Sequence, residues 1–230
     1  LHGRLSFLPA KSVVADAKWE DDDYVVRISG KMREAVVFGT NLELRREIST
    51  VLGQKSFRIH DRIENLGANQ SPLMFVYHCN PGFPVLDEGT RLVIKSRLTT
   101  EWLEDREIGP ETYTTARAPQ AGAEAVVYVH RPIPDAEGIA RIGLINDRLK
   151  LGVYWQFPVS EIPLLSQWQN FVNGSYVTGI EPGNVSMLGR AWNRKQGYLT
   201  HIQPGEVRDF HLEIGVLDGE AEIAAFEQRV

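Results

Sequence analysis

Short runs in which apolar and polar residues alternate, divided by turn-forming residues, dominate the chain. The clearest run covers residues 56–64. Its odd-numbered positions form one mostly apolar face: Phe57, Ile59, Asp61 and Ile63. Its even-numbered positions form a charged face: Arg58, His60, Arg62 and Glu64. A period of two predicts a β-strand with one buried and one solvated face, as is usual in antiparallel sheets.

The same reasoning predicts many short strands and little helix. Strands are predicted at residues 24–29, 42–48, 73–78, 91–98, 125–130, 141–146, 152–157, 176–181 and 208–217. A glycine-containing turn at residues 52–55 joins two of them as a hairpin. One terminal helix is predicted after Asp218, its cap residue, from an apolar stripe at Ile223, Ala224 and Phe226. Many strands with one late helix predict an all-β fold, a large and mostly antiparallel β-sandwich formed by residues 1–230 as a single domain.

Composition and charge narrow the function classes. The 230 residues carry a net charge of −5, which argues against a nucleic-acid partner because phosphate contacts need an excess of Lys and Arg. Apolar runs such as residues 73–77 fall far short of the roughly 20 residues that a membrane helix needs, so no membrane partner is expected. Cys79 is the only cysteine, which excludes an intrachain disulfide and suits a reducing, cytoplasmic location.

Three polar clusters stand out against this β background. They are LHGR at residues 1–4, YHCNPGFP at residues 77–84 and GIEPGN at residues 179–184. In the second and third, a titratable residue, His78 or Glu181, stands at the end of a predicted strand beside a rigid turn. That placement suits a catalytic group, because the strand fixes the backbone while the loop opens to a substrate. No phosphate-binding loop, dinucleotide fingerprint or nucleophile elbow is present.

Each of these residues also has an ordinary structural interpretation. A lone histidine at a strand end is more often a hydrogen-bonded surface or core residue, and glutamate before proline commonly just ends a strand. Three further histidines in strand-like stretches are interpreted as structural: His60, His201 and His211. The charged run at residues 45–47 is interpreted as a solvated face. A metal site built from His2, His78 and Glu181 is not favoured, because no two of them have close ligand spacing.

Taken in order, the three clusters resemble the aldose 1-epimerase (galactose mutarotase-like) superfamily, in its bacterial aldose 1-epimerase-like branch. The LHG segment resembles the family's Leu-His-Gly, whose histidine, here His2, binds the sugar. Residues 57–83 resemble the family's central passage, whose histidine, here His78, is the general acid. The GIEP segment resembles the family's late Glu-Pro motif, whose glutamate, here Glu181, is the general base. Trp168 and Gln169 fall where the family places a strand that lines the sugar pocket.

The resemblance covers nearly the whole chain, with two departures. The family's N-terminal part, which carries early Asn and Arg contacts to the sugar, is missing from this chain or unrecognisable in it. No Asp matches the family residue that holds a sugar hydroxyl between the acid and the base, and Glu124 is the substitute that we expect. His2 and Arg4 are expected to donate hydrogen bonds to sugar hydroxyls. The departures affect the sugar specificity more than the reaction type.

The resemblance implies an isomerase that interconverts the anomers of a free aldose. A base removes the proton of the C1 hydroxyl while an acid protonates the ring oxygen, the ring opens, and rotation about C1–C2 before closure gives the other anomer. Glu181 as carboxylate and His78 as imidazolium fit these roles near neutral pH. We expect the two side chains to face one pocket, with room for a sugar ring between them. The mechanism requires no metal and no organic cofactor.

The alternative function is a non-catalytic carbohydrate-binding β-sandwich, because a fold alone does not decide function. A binding module has no need for a histidine and a carboxylate at two strand ends, so the retention of both His78 and Glu181 favours the enzyme. The expected partners are a small sugar substrate and, as one option, a second copy of the chain in a homodimer.

Overall fold

A computed structural model describes residues 2–101 and 113–230, apart from the side chains of residues 98–101. Leu1, the first residue of the LHGR cluster, lies outside the described residues. The chain divides into two compact units. Unit 1 consists of Leu1–Met74 and Leu188–Glu213, and unit 2 consists of Phe75–Met187 and Ile214–Val230. The single domain over residues 1–230 stays a prediction.

Unit 1 is built on long antiparallel strands. After a short 3-10 helix (Arg4–Phe7), its main sheet has the order β1 (Lys11–Glu20), β2 (Asp23–Ala35), β3 (Asn41–Val51), β4 (Ser56–Asn65), followed by the first part of β14 (Val207–Asp218). A second, two-stranded sheet pairs β5 (Ser71–Leu73) with β13 (Thr200–Ile202). A short helix, α1 (Gly189–Lys195), completes the unit. The predicted turn at residues 52–55 joins β3 and β4, and Gly53 adopts a positive φ of 90° there.

The two faces of β4 differ as the alternating pattern predicts. Ile59, Asp61 and Ile63 are buried, whereas Arg58 and Arg62 are exposed. On β3, the charged run at residues 45–47 cannot form one solvated face, because neighbouring residues of a strand point to opposite faces. Its central residue points to the other side of β3 from the two that flank it, so the interpretation as a solvated face was wrong for one residue of the three.

The central residue of this run, Arg46, forms an ion pair on the apolar face of unit 1. Its guanidinium donates two hydrogen bonds, of 2.7 and 2.6 Å, to the two carboxylate oxygens of Asp61. Asp61 has no exposed side-chain surface. A buried carboxylate needs such a partner, because an unpaired charge away from water is very unfavourable. The pairing explains why an aspartate occupies an otherwise apolar face of β4.

Unit 2 contains two antiparallel sheets. The first has the order β6 (Arg91–Ile94), β9 (Ile139–Asn146), β10 (Leu151–Pro158), followed by the last part of β14. The second has the order β7 (Ser96–Glu101), β8 (Val126–Pro132), β11 (Leu164–Val172), β12 (Ser175–Gly183). Side chains from both sheets, among them Leu92, Leu144 and Phe171, line one small cavity. The two sheets therefore face each other as a sandwich.

A terminal helix, α2 (Glu220–Glu227), packs on the outer side of the first sheet of unit 2. Ile145 and Leu217 from the sheet and Ile223 and Phe226 from the helix form one buried apolar cluster. The helix was predicted, but its cap was not. Gly219 is the cap residue with a φ of 96°, and Asp218 ends β14 with its backbone N–H donating to the Glu222 carboxylate.

The all-β class with mostly antiparallel sheets is confirmed. Besides the short 3-10 helix, four elements were not predicted from the pattern: β1, β11, β13 and α1. Strand β1 was missed although apolar and polar residues alternate at positions 15–20, and all but one of its ten residues are exposed. Helix α1 was missed because seven residues are too few to show a helical period, and its Leu188 cap makes no side-chain hydrogen bond.

Candidate functional site

The second and third polar clusters of the sequence lie side by side in unit 2. Residues 75–81 run antiparallel to β12 and bond to it along its length. The backbone N–H of Tyr77 donates to the carbonyl of Pro182 at 2.9 Å, and Cys79 and Ile180 exchange two bonds of 3.3 and 2.8 Å. Further along, the N–H of Thr178 donates to the carbonyl of Pro81 at 3.2 Å. This segment extends the β7–β8–β11–β12 sheet beyond β12, although two prolines interrupt its ladder.

This register puts His78 directly opposite Glu181. The two residues lie between the bonded positions 77/182 and 79/180, so they form a non-hydrogen-bonded pair, in which side chains approach most closely. Nε2 of His78 lies 3.3 Å from Oε1 of Glu181. The His78 side chain is 29% exposed and the Glu181 side chain only 1%. The imidazole therefore covers a carboxyl group that is almost removed from solvent.

Burial changes the acidity of Glu181. Loss of solvation raises the pKa of its carboxyl to about 7, because the charged form loses most of its hydration. Oε1 makes no hydrogen bond within the part of the chain that the structure describes. A buried acceptor left in this state costs about 1–3 kcal/mol, and such groups in native proteins call for a functional explanation. The carboxyl is thus poised to exchange a proton near neutral pH.

Two glycines flank Glu181 on its own face of β12 and make room for its side chain. Alternate residues of a strand share a face, so Gly179, Glu181 and Gly183 point the same way. A Cβ atom on Gly179 would lie 2.4 Å from Oε1 of Glu181. A Cβ atom on Gly183 would lie 2.7 Å from the backbone oxygen of Phe75. Gly179 therefore makes space for the carboxylate, and Gly183 lets the neighbouring segment approach.

These two glycines give a matched pair of substitutions. Gly183→Ala should lower the free energy of unfolding by about 1–3 kcal/mol, because the new methyl group meets a backbone atom that cannot move away. Gly179→Ala should lower the free energy of unfolding by less, because its new methyl group meets the end of the Glu181 side chain, which can move. It should instead push the carboxylate toward solvent and lower the pKa of Glu181 from about 7 toward its ordinary value. Urea unfolding and carboxyl NMR titration measure the two effects, and an unchanged pKa in Gly179→Ala would contradict this role of Gly179.

Trp168 belongs to the same face. It lies opposite Gly179 in the β11–β12 ladder, and its ring is half-buried. The centroids of the Trp168 and His78 rings are 6.4 Å apart, at an interplanar angle of 75°. Ser166, opposite Glu181 in the same ladder, is fully buried, and its Oγ accepts a hydrogen bond from the N–H of Met187. The structure thus brings together an imidazole, a carboxyl group and an indole.

The other residues expected at the site are placed differently. Gln169 points to the opposite face of β11 from Trp168, is 2% exposed, and donates to the carbonyl oxygen of Tyr113 at 3.4 Å. Glu124 is exposed in the loop that precedes β8. His2 and Arg4 belong to unit 1, where Arg4 pairs with Glu34 at 2.7 Å. The roles of these four residues in sugar binding stay predictions.

A second histidine in unit 2, His130, is buried and was not singled out from the sequence. His130 has no exposed surface, its Nδ1 lies 3.0 Å from the Ser96 hydroxyl, and its Nε2 lies 3.2 Å from Oε1 of Gln167. Since an amide oxygen only accepts, Nε2 carries the proton and Nδ1 accepts from Ser96. Burial lowers the pKa of His130 to about 4, so it is neutral near pH 7. Its position inside the strand-like run at residues 125–130 gave no sign of this network.

Within the described residues, no group of three or more His, Cys, Asp or Glu side chains is arranged to hold a metal ion. No helix in the same part of the chain is long and apolar enough to cross a membrane.

Comparison with solved structures shows which proteins share this fold. A "putative aldose 1-epimerase" from Klebsiella pneumoniae has a TM-score of 0.92 and 28% sequence identity over 100% of this chain. This chain spans 60% of the length of that one. A galactose mutarotase-like protein from Clostridium acetobutylicum has a TM-score of 0.59 at 15% identity, covering 90% of this chain and 66% of the other. A "putative aldose 1-epimerase" from Escherichia coli K12 has a TM-score of 0.56 at 15% identity, covering 88% and 68%.

The fold is therefore galactose mutarotase-like, as the resemblance implied. No curated protein matches the sequence. Residues 1–216 match the model of a family described as a domain of unknown function, DUF4432. That match covers most of the chain, and the chain belongs to the DUF4432 family.

Proposed function

We propose that the site formed by His78 and Glu181 interconverts the anomers of an aldose or an aldose derivative by acid–base ring opening. One observation carries the proposal. A carboxyl group with a pKa of about 7, almost wholly buried and with Oε1 free of hydrogen bonds among the described residues, lies 3.3 Å from an imidazole that reaches solvent. Acid–base catalysis works best with groups that titrate near the operating pH. A module that only binds sugar gains nothing from a desolvated carboxyl group.

Direct contact between the two groups suits the chemistry at C1. The anomeric hydroxyl oxygen and the ring oxygen are both bonded to C1, so the base and the acid act on neighbouring atoms. The expectation of room for a sugar ring between His78 and Glu181 does not hold, because a separation of 3.3 Å leaves none. Both groups instead approach C1 from one side, with the sugar lying over the pair.

The proton balance requires one proton on the pair. Glu181 as carboxylate takes the proton of the C1 hydroxyl, and His78 as imidazolium gives its proton to the ring oxygen while the C1–ring oxygen bond breaks. The open-chain aldehyde then faces a protonated Glu181 and a neutral His78. After rotation about C1–C2, the hydroxyl that formed from the ring oxygen attacks C1 and returns its proton to His78, while Glu181 protonates the former carbonyl oxygen. The original protonation state is restored, and no cofactor enters the cycle.

The neighbouring side chains give the sugar a binding surface. The half-buried indole of Trp168 lies beside the pair and offers an apolar face to the sugar's C–H groups. Asn80 is exposed and follows His78 by two positions, so it points to the same side of its segment and is a further donor and acceptor for sugar hydroxyls. His2, Arg4 and Glu124 remain proposed contacts.

Anomer exchange in freshly dissolved aldoses tests the proposal. The rate is followed by polarimetry or NMR over a panel of neutral, phosphorylated and other derivatised aldoses, with sugar binding measured on the same samples. The wild-type protein should accelerate exchange for at least one sugar, and His78→Asn should lower that rate by about 10²-fold or more by removing the acid.

The exposed pair His60–Asp209 of unit 1 supplies a matched control. Its Nε2–Oδ1 distance is 2.8 Å, and both side chains are more than two-fifths exposed. His60→Asn removes an imidazole from a carboxylate in the same way, and it should leave exchange unchanged. Sugar binding by the wild type without acceleration of exchange for any sugar would instead support the non-catalytic binding module.

A further inference from the structure

Asn80 lies in the same extended segment as His78, two residues further along. Alternate residues of such a segment share a face, so the two side chains point to the same side. The register of this segment on β12 puts Asn80 opposite Gly179, because the backbone hydrogen bonds before and after this pair continue the same ladder. Gly179 in turn lies opposite Trp168 in the β11–β12 ladder. Asn80 and Trp168 therefore stand on the two sides of Gly179, on the face of the sheet that carries the candidate site.

The carboxyl group of Glu181 lies over Gly179, between these two side chains. A Cβ atom on Gly179 would be 2.4 Å from Oε1 of Glu181 and 3.2 Å from the Cβ atom of Trp168. The reacting end of Glu181 is therefore level with Asn80 and Trp168 along the strands. A sugar whose C1 lies at this carboxyl group has Asn80 on one side and Trp168 on the other.

The side chain of Asn80 is available to a ligand. It is exposed, and its amide group makes no hydrogen bond within the part of the chain that the structure describes. An amide offers two N–H donors and a carbonyl acceptor, so it can bind a hydroxyl group from either side. It carries no charge, whereas phosphate and carboxylate groups are bound most strongly by Arg and Lys. The chemistry of Asn80 therefore fits a neutral hydroxyl group.

The roles of the acid and the base decide which hydroxyl group this is. His78 gives its proton to the ring oxygen, so the ring oxygen lies on the side of C1 nearer to residues 75–81. C2, the other ring neighbour of C1, then lies on the side of β11. The ring atom that follows the ring oxygen is C5, which carries the exocyclic C6. Because Asn80 belongs to the same segment as His78, it lies beside C5 and C6, whereas the indole of Trp168 lies beside C2 and C3.

We infer that Asn80 binds the C6 hydroxyl group of an aldohexopyranose and makes the site selective for hexoses in which this hydroxyl group is free. The inference rests on the proposed function, because the position of the ring oxygen follows from the role of His78. A 6-deoxyhexose keeps every other group of the sugar but gives the amide of Asn80 nothing to bind. The selectivity is therefore a property of one side chain and one hydroxyl group.

The test compares two pairs of sugars whose members differ only in the C6 hydroxyl group: D-glucose with 6-deoxy-D-glucose, and D-galactose with 6-deoxy-D-galactose. The anomer exchange rate and the affinity are measured for all four. In the pair that the protein accepts, wild-type kcat/KM should be about five- to tenfold higher for the hexose, as expected for one neutral hydrogen bond. Asn80→Ala should bring this ratio to about one by slowing exchange of the hexose alone. A purely structural role of Asn80 would slow both sugars and leave the ratio unchanged.

Asn170 supplies the matched control. It lies on the same face of β11 as Trp168, but its amide already donates to the backbone oxygen of Ser175 at 2.8 Å and to the Ser175 hydroxyl at 2.7 Å. Asn170→Ala removes an asparagine side chain from the same face of the sheet. It should leave the ratio between the hexose and its 6-deoxy form unchanged.

Three results would overturn the inference while leaving the proposed function intact. They are equal wild-type rates for a hexose and its 6-deoxy form, an unchanged ratio in Asn80→Ala, and a wild-type preference for the 6-phosphate of either hexose. Absence of exchange for every sugar would contradict the proposed function, and the affinities of the two members of each pair would then test Asn80 by themselves. Absence of both binding and exchange for all four sugars would overturn the two together.

Discussion

Glu181→Gln should lower the rate of anomer exchange by about 10²-fold or more while sugar binding changes little. Glutamine keeps the size of the side chain and one oxygen, but it has no basic form. The loss therefore falls on the chemical step and not on the ground-state contacts. Polarimetry gives the rate, and sugar titration followed by NMR gives the affinity on the same samples.

The pH dependence sharpens this test. The active form of the His78–Glu181 pair holds one proton, so the rate of exchange should follow a bell-shaped pH profile. At low pH the pair gains a second proton and exchange stops. At high pH the pair loses its proton and exchange stops again. Because the two groups lie 3.3 Å apart, the limbs belong to the pair and not to either residue alone. Asp209→Asn, in the exposed pair of unit 1, is the matched control and should leave the profile unchanged. Wild-type rates in Glu181→Gln would rule out Glu181 as the base.

Stability should depend on pH in opposite senses through two buried groups of unit 2. The folded pKa of Glu181, about 7, lies above its ordinary value of 4.5, so its contribution is complete below about pH 4.5 and is lost as the pH rises through 7. The folded pKa of His130, about 4, lies below its ordinary value of 6.5, so its contribution is complete above about pH 6.5 and is lost as the pH falls through 4. Each difference of 2.5 (7 − 4.5 and 6.5 − 4) corresponds to about 3 kcal/mol.

Between about pH 4 and pH 7 the two slopes largely cancel in the wild type. Glu181→Gln removes the Glu181 slope, so the difference in unfolding free energy between this variant and the wild type should grow in the variant's favour by about 3 kcal/mol from pH 4.5 to pH 7.5. His130→Gln should give a difference of opposite slope. Denaturant unfolding followed by far-ultraviolet circular dichroism measures both. A pH-independent difference for Glu181→Gln would show that its carboxyl has an ordinary pKa in the folded protein.

Most strands could be predicted from the sequence, because a strand that is buried on one face shows alternating apolar and polar residues. Ile59 and Ile63 inside, with Arg58 and Arg62 outside, is a pattern that any antiparallel strand with one wet face must show. Where burial does not alternate, the period-two pattern is lost, as in β9, where seven of eight residues are buried. A strand was nevertheless predicted at residues 141–146, within β9, whereas β1 was missed although apolar and polar residues alternate at positions 15–20.

The candidate site was predictable as a set of residues but not as a geometry. His78 and Glu181 stand out as titratable residues beside glycine and proline turns, and these turns are local features of the sequence. Their separation depends on the register between two segments about a hundred residues apart, which no local pattern encodes. The clearance provided by Gly179 and the burial that sets the pKa of Glu181 are likewise products of packing. The family resemblance likewise put Gln169 together with Trp168 in the sugar pocket, whereas the pleat of β11 points the two side chains to opposite faces.

Asn184, the last residue of the GIEPGN motif, holds residues 75–81 in register with β12. Asn184 accepts a hydrogen bond from the N–H of Phe75 through its Oδ1, at 2.7 Å, and its own N–H donates to the Phe75 carbonyl at 3.0 Å. This clamp resists any slip of residues 75–81 along β12, and a slip of one residue would bring Tyr77 or Cys79 beside Glu181 in place of His78. Backbone hydrogen bonds therefore fix positions 78 and 181 opposite each other, whichever side chains they carry. The two side chains can be replaced without changing this register. Substituting His78 by Asp would seat two carboxyl groups at one fixed spacing, a starting point for engineering a different reaction on the same scaffold.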